Sequence, residues 1–473
     1  TSTALETTTH QHPWESVVVR APEASYEDTS LCYFVQRFVS PNGGDGFPGH
    51  LSFLPGILNH YSHGILETAT LSVAQMAAYN QFGGEKFRMQ SYKNYGRAIR
   101  MLQNIIQSDE QATDDKVLAS VLLLCTLKDI SGEAVDQNDH ASGLYYLIDK
   151  RGPGQLATER GAELLILALV RLQIYAFLKE DDTYTDPGGI AAIWGVFDPL
   201  LRAMSMMSRT LSLRHRLLRY HASLEARQRQ GEDHAATFHD EAERQEILGI
   251  MEKCFETLDE FNNWDAEAAV YWQNMFEGRG VPTALGEVGS VTTNYDVETA
   301  CVIVLIRSAR LILMMSMISH HYRLQYMDDC GQEGAGDPSP MSECLPFLEQ
   351  DVGRTLDDIL LSVPYALGDV DASGRPASPS HDGAAAIVIV HSIRLVASCA
   401  YASPGQLQTA LNFLTRFNAG IGIRSAVDMG KEYMARSQWV AEQAFLRYVV
   451  LGHTGVDAPA ALREINAYLG YPS

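Results

Sequence analysis

Ser91–Pro153 reads SYKNYGRAIRMLQNIIQSDEQATDDKVLASVLLLCTLKDISGEAVDQNDHASGLYYLIDKRGP, and its periodicity decides the fold. Tyr95, Ile99, Leu102, Ile105 and Ile106 recur at helical spacing, which predicts an amphipathic helix over Tyr92–Gln107. Asp109–Asp115 reads as a connector. Thr113 is the expected N-cap, with Asp114 and Asp115 in a first turn that the helix dipole makes favourable for acids. Lys116–Ile130 is apolar nearly all round, so a buried helix is predicted there. Asp139–Lys150 predicts the next helix, stopped by Arg151, Gly152 and Pro153. His140 and Gly143 lie one turn apart on it. They read either as a ligand contact or as a packing device in which Gly143 admits a neighbouring helix and His140 satisfies a carbonyl. The packing reading is preferred, and on it Gly143→Leu is expected to destabilise the fold.

The same 3.6-residue pattern extends outward. Helices are predicted at Ala162–Leu178, Ile190–Met207, Leu211–Arg229, His239–Asn262, Asp265–Phe276, Val297–Tyr326, Cys344–Ser362, Ala384–Ala400, Gly405–Asn418, Ile423–Val449 and Pro459–Leu469. Apolar residues also recur from Phe53 to Asn80, with a break near His60–Gly64, and Leu31–Val39 fits a helix or a strand. Asp328–Glu343 and Leu367–Gly383 are Gly- and Pro-rich and read as surface loops. No strand pair and no fixed-period repeat is evident, so the fold class is all-α. A single large body of about fifteen or more helices is expected over 31–473, with a weak subdivision near residue 235 and an extended arm over 1–30.

The chain has 473 residues and a formal net charge of −22, from 58 acidic and 36 basic side chains. So acidic a surface repels phosphate backbones, and direct nucleic-acid binding by this chain is not expected. The seven cysteines are scattered without a C-x-x-C pair, which speaks against structural zinc and for a reducing, intracellular setting. The N-terminus lacks an initiator Met, a basic n-region and an apolar h-region, so it reads as a trimmed chain without a signal peptide. Arg307 and Arg310 interrupt the most apolar run, Ala300–Ile318, and no membrane span is expected.

At Ser91–Pro153 the chain resembles the fungal-specific transcription factor domain, the helical region downstream of the zinc cluster in fungal zinc-cluster regulators. The matching features are Tyr92, Tyr95, Ala98 and Ile99, a short acidic linker, and LASVLLLCTLKDISGE with Asp129 and Gly132 at its acidic and small positions. His140, Gly143, Leu147, Ile148, Arg151 and Gly152 follow. The family's Trp before the His is missing, Leu144 replaces a small residue, and no six-cysteine cluster occurs in this sequence. The resemblance implies a regulatory, effector-binding helical domain.

Residue patterns alone give weaker site candidates. Met204, Met206 and Met207 form one methionine cluster and Met314, Met315 and Met317 another. With Tyr271, Trp272 and Trp194 they could line a pliable hydrophobic cavity, although plain core is the preferred reading. His391, inside the apolar AAAIVIVHSIRLV, is the candidate catalytic group, since a desolvated imidazole can be tuned as an acid or base. His60, His63 and Glu67 are a poor metal set, and none is expected. Glu180, Asp181, Asp182 and Asp186 are similar to the aspartate-rich motif of terpene cyclases, but the third Asp falls one residue late. The arginines from Arg202 to Arg229 read as a solvated helix face, with intramolecular pairing to acidic loops left open.

Two functions therefore stay open. One is a regulatory domain that binds a hydrophobic small molecule, which would place the protein in the nucleus. The other is a cofactor-free natural-product enzyme of the cytoplasm, a Diels–Alder-type cyclase of secondary metabolism that relies on shape and proximity. The expected partner is the hydrophobic small molecule, with a homodimer left open and no cofactor.

Overall fold

The computed structural model describes residues 25–41, 48–59, 62–132, 140–179, 199–230, 241–276, 296–329, 340–371, 374–427 and 437–452. Among these the fold is all-α and forms one body. Its only sheet-like feature there is an isolated antiparallel bridge between Val370 and Pro376, within the expected loop. The expected domain break near 235 lies outside the described residues, as do residues 1–24 and the helix predicted at Pro459–Leu469.

The first helix, α1 (Tyr26–Phe38), begins inside the stretch expected as an arm, because the Ser25 hydroxyl accepts from the Asp28 amide and caps it. Phe34 and Phe38 enter the core, and on the flank Arg37 pairs with Asp382 at 2.9 Å. Helices α2 (Ile65–Phe82) and α3 (Glu85–Ile105) form a hairpin around Gly83 and Gly84. Both glycines have positive φ, 74° and 91°, which side-chain-bearing residues rarely adopt. The two helices approach closely at Ser72 and Ser91, whose hydroxyls each donate to the other's backbone carbonyl, at 3.0 and 2.7 Å.

Helix α4 (Asp115–Ser131) is buried from Val117 to Ile130. Its N-cap is Asp114, which accepts from the Lys116 amide at 2.7 Å, and not Thr113 as expected: a carboxylate at that position meets both the orphan amide and the dipole. Helix α5 (Ala141–Arg151) follows His140, and α6 is Glu159–Lys179. The packing role expected of Gly143 is not observed. A Cβ built there meets nothing within 4 Å, because its side of α5 faces open space.

Four predicted segments merge into two long helices, α7 (Pro199–Gln230) and α8 (Glu241–Phe276). The interruptions between them, Ser208–Thr210 and Asn263–Trp264, contain neither Gly nor Pro, so the helix runs on through both. The arginine-rich face of α7 pairs with α8, through Arg202 with Glu267, Arg209 with Glu260 at 2.6 Å and Arg216 with Glu246 at 3.7 Å.

Helix α9 (Val297–Asp329) is the central beam, packed against α7, α8, α10 (Pro340–Ala366), α11 (Asp382–Ser398) and α13 (Gln438–Gly452). Its segment Val297–Gln325 is long and apolar enough to cross a membrane, yet 89% of its most apolar window is buried in the fold. Its two arginines turn to neighbouring helices: Arg307 donates to Ser362 and the Asp358 carbonyl, Arg310 to Asn262, Thr355 and Asp351. Arg214 of α7 makes a buried pair with Glu442 of α13 at 2.6 Å and donates to Ser316 of α9 at 2.8 Å. One continuous apolar core runs from Phe34 to Leu446.

Asn80 joins three distant elements. Its amide donates to the Ile130 and Gly422 carbonyls, both at 2.7 Å, and its oxygen accepts from Arg424 at 2.8 Å. The chain reaches Gly422 through α12 (Pro404–Thr415) and a π-helical turn, Arg416–Ile421. Replacing Asn80 by Ala strands the carbonyl that ends α4 and should cost about 1–3 kcal/mol in denaturant unfolding. Glycine scanning supplies a contrast. A Cβ at Gly161 would strike the Gln155 carbonyl oxygen, so Gly161→Ala should lower Tm, whereas Gly143→Ala should leave Tm unchanged or raise it.

Candidate functional site

The sequence after the Gly/Pro-rich 40–50 stretch turns back on itself. The Ser40 amide donates to the His50 carbonyl at 2.9 Å, and Leu51 adopts φ 55°, rare for a residue with a side chain. Such strain marks a place where the surroundings over-determine the backbone. Behind this turn lies a cavity with about 730 Å³ of atom-free space, its open mouth included. Most of its wall is apolar, from Leu51, Leu122, Val170, Ile174, Val302 and Val388 among others. Helices α4, α6, α9 and α11 each contribute a side, with the 48–53 turn as the rim.

The polar groups on this wall are few: His50, Thr126, Arg171, Glu298, Cys301 and His381 among them. His50 Nε2 lies 3.4 Å from the Thr126 hydroxyl. Burial, reinforced by the neighbouring Arg171 charge, lowers the His50 pKa to about 3, so it faces the cavity as a neutral imidazole. His381 lines the cavity with Nδ1 buried and unpartnered among the described residues. Glu298, in the first turn of α9, is raised to about 7 by burial and by the nearby Asp296. Gly49 closes the rim so tightly that a Cβ there would collide with Ser40 and the Glu298 Cγ.

Arg171 belongs to a polar knot behind the wall. It forms a buried ion pair with Asp129 of α4 and donates to the Cys125 carbonyl at 3.0 Å and to the Tyr175 hydroxyl at 3.4 Å. Burial alone would raise the Asp129 carboxyl, but the guanidinium beside it holds it below its ordinary value. His391 Nε2 stands 3.8 Å from the other Asp129 oxygen, and burial keeps its pKa low. The candidate catalytic imidazole is thus part of this knot and not of the cavity lining.

The methionines take a different place. Met204 and Met207 of α7 and Met314 and Met317 of α9 are buried in the common core, away from the lining of this cavity. The side chains of Tyr271 and Trp272, on α8, fall outside the described residues, as do Trp194, His60 and the acidic segment from Glu180 to Asp186. Glu67 accepts from the Asn59 amide, a local bond at the start of α2. His140 Nε2 lies 3.5 Å from the Tyr95 hydroxyl, and burial lowers its pKa to about 4. Sequence reasoning missed Arg171, Glu298, His50 and His381. Arg171 had a readable signal: it is the lone charge in the apolar run 164–178, a position that calls for a buried partner.

Removing one partner of the Arg171–Asp129 pair leaves an uncompensated buried charge, so Asp129→Ala should cost about 3–5 kcal/mol in chemical unfolding. Acid should also destabilise the fold. Burial lowers His50 and His221 to about 3, and His140 and His320 to about 4. These groups take up protons in the unfolded chain from about pH 6.5 downward, while the native state resists until its own lower values. Stability should therefore fall as pH drops from about 6.5 to about 4, against a smaller opposite contribution from the raised Glu298. Denaturant titrations across this range check the sign.

The family model of the fungal-specific transcription factor domain matches residues 53–277. The match holds the whole Ser91–Pro153 segment, the Arg171–Asp129 pair and the α4 and α6 walls of the cavity, while the α9 and α11 walls lie beyond it. No curated protein and no solved structure matches the chain. Residues 53–277, a little under half of the chain, are therefore similar to a fungal-specific transcription factor domain.

Proposed function

We propose that this is a regulatory domain whose cavity takes up a hydrophobic small molecule and passes its occupancy on through helix packing. The observation that carries the reading is the composition of the cavity wall. Two sides belong to the matched family region, and two come from α9 and α11 in the C-terminal half. A ligand there touches both halves at once. It shifts their arrangement by as much as it binds one arrangement better than another. A largely apolar lining with a few fixed polar groups is the usual make-up of a small-molecule site.

The chain's charge of −22 disfavours DNA contact and supports a sensing role over a DNA-binding one. In this reading the protein works in the nucleus, as the sensing part of a regulator. The strained Leu51 turn at the rim is the element best placed to respond, since it packs on the cavity and is not part of a long helix.

A thermal-shift or native mass spectrometry screen against lipophilic metabolites tests the proposal, with several binders expected. Ala385, on the α11 wall, is the position to fill. Ala385→Leu should abolish ligand-induced stabilisation, whereas Met317→Leu, in the core, should retain it. A screen in which no lipophile stabilises the wild type, or in which Ala385→Leu responds as the wild type does, counts against the cavity.

A further inference from the structure

We propose that the cavity selects lipophilic molecules carrying a basic amine, with the Glu298 carboxylate as counter-charge to the ammonium. The inference rests on the cavity being a ligand site and adds the chemical class of the ligand. It comes from an inventory of the charged groups that face the space from each element around it.

From α6 the cavity receives Arg171, but that charge is already paired with Asp129, with Tyr175 and Cys125 beside it. From the rim it receives His50, held neutral and near the Thr126 hydroxyl of α4. From the start of α11 it receives His381, whose buried Nδ1 has no partner among the described residues. From α9 it receives Cys301, whose thiol burial pushes up and so keeps protonated, and Glu298. Asp296 stands just before α9 and accepts from the Thr299 amide at 2.8 Å, so it is held at the helix end.

Glu298 has no ion-pair partner among the described residues, and its side chain lies against the rim at Gly49. It is the one carboxylate that the described lining offers. An anionic ligand would meet this carboxylate's repulsion, while the guanidinium of Arg171 is already paired with Asp129. A neutral lipophile would leave it desolvated and unpaired, which is unfavourable. An ammonium converts the same carboxylate into half of an ion pair inside an apolar enclosure, where attraction is stronger than in water. The His381 Nδ1, in the tautomer that leaves it unprotonated, can accept a further ammonium N–H. The protein's overall negative field draws a cation toward the mouth. Because Glu298 must be ionised to act, binding of the amine weakens as the carboxyl is protonated on acidification.

The test uses three matched probes, 4-phenylbutylamine, 4-phenylbutanol and 4-phenylbutyrate, titrated calorimetrically into the full chain. At about pH 8 the amine should bind about ten-fold tighter than the alcohol, and the carboxylate weakest. The advantage of the amine should shrink on moving to about pH 6, as Glu298 takes up its proton. Glu298→Gln, checked for folding by its melting curve, should bind amine and alcohol alike. Ala385→Leu should lose all three. An amine that binds no better than the alcohol, or that keeps its advantage in Glu298→Gln, overturns the amine assignment and leaves the cavity as a site for neutral molecules. If none of the probes binds the wild type, the cavity reading itself fails, and this inference fails with it.

Discussion

The buried pair between Arg171 and Asp129 is the constraint around which the body closes. Both charges are buried at their places on α6 and α4, so each is tolerable chiefly beside the other. Satisfying the pair fixes the rotation of two buried helices about their own axes. It also aligns the carbonyl of Cys125, the hydroxyl of Tyr175 and the imidazole of His391, which arrives from α11 in the C-terminal half. A core of leucines could accept several such rotations, whereas a charge with one permitted partner accepts few. The cavity lies directly against this knot, and its shape follows from the same alignment. A second buried pair, Arg214 with Glu442, does for α7 and α13 what the first does for α6 and α4.

Much of the fold was legible because helices announce themselves by period. The amphipathic α3 and the all-apolar α4 could be read to within a few residues at most ends, and the apolar α9 likewise. Two of the errors have a clear physical cause. Polar interruptions without Gly or Pro looked like ends and were not, as at Ser208–Thr210 in α7. And Gly143, in a motif-like setting, looked like a packing device although its side of α5 is open. A sequence reports what a residue permits, and only the neighbours decide whether the permission is used.

The site was less legible for a related reason. Methionine clusters stand out in composition, yet they mark adaptable filler as readily as a binding wall, and here they fill the core. The cavity is built from a few residues of each of several elements separated by more than three hundred positions, among them His50, Arg171, Glu298 and His381. No local window contains it. His391 was correctly suspected of being a desolvated imidazole in an apolar helix, but burial alone does not distinguish a group that faces a ligand from one that braces a charge.

The continuity of the core bears on what counts as a unit of this protein. The family match ends at residue 277, but the apolar core does not end there: α7 and α8 pack on α9, and α4 touches α11. A fragment cut to the matched boundaries would expose the faces of α7 and α8 that pack on α9 and leave His391's side of Asp129 empty. The autonomous folding element is therefore larger than the region by which the family is recognised. α1 belongs to it as well, since Arg37 reaches across the sequence to Asp382. Each half thus supplies surface that the other lacks.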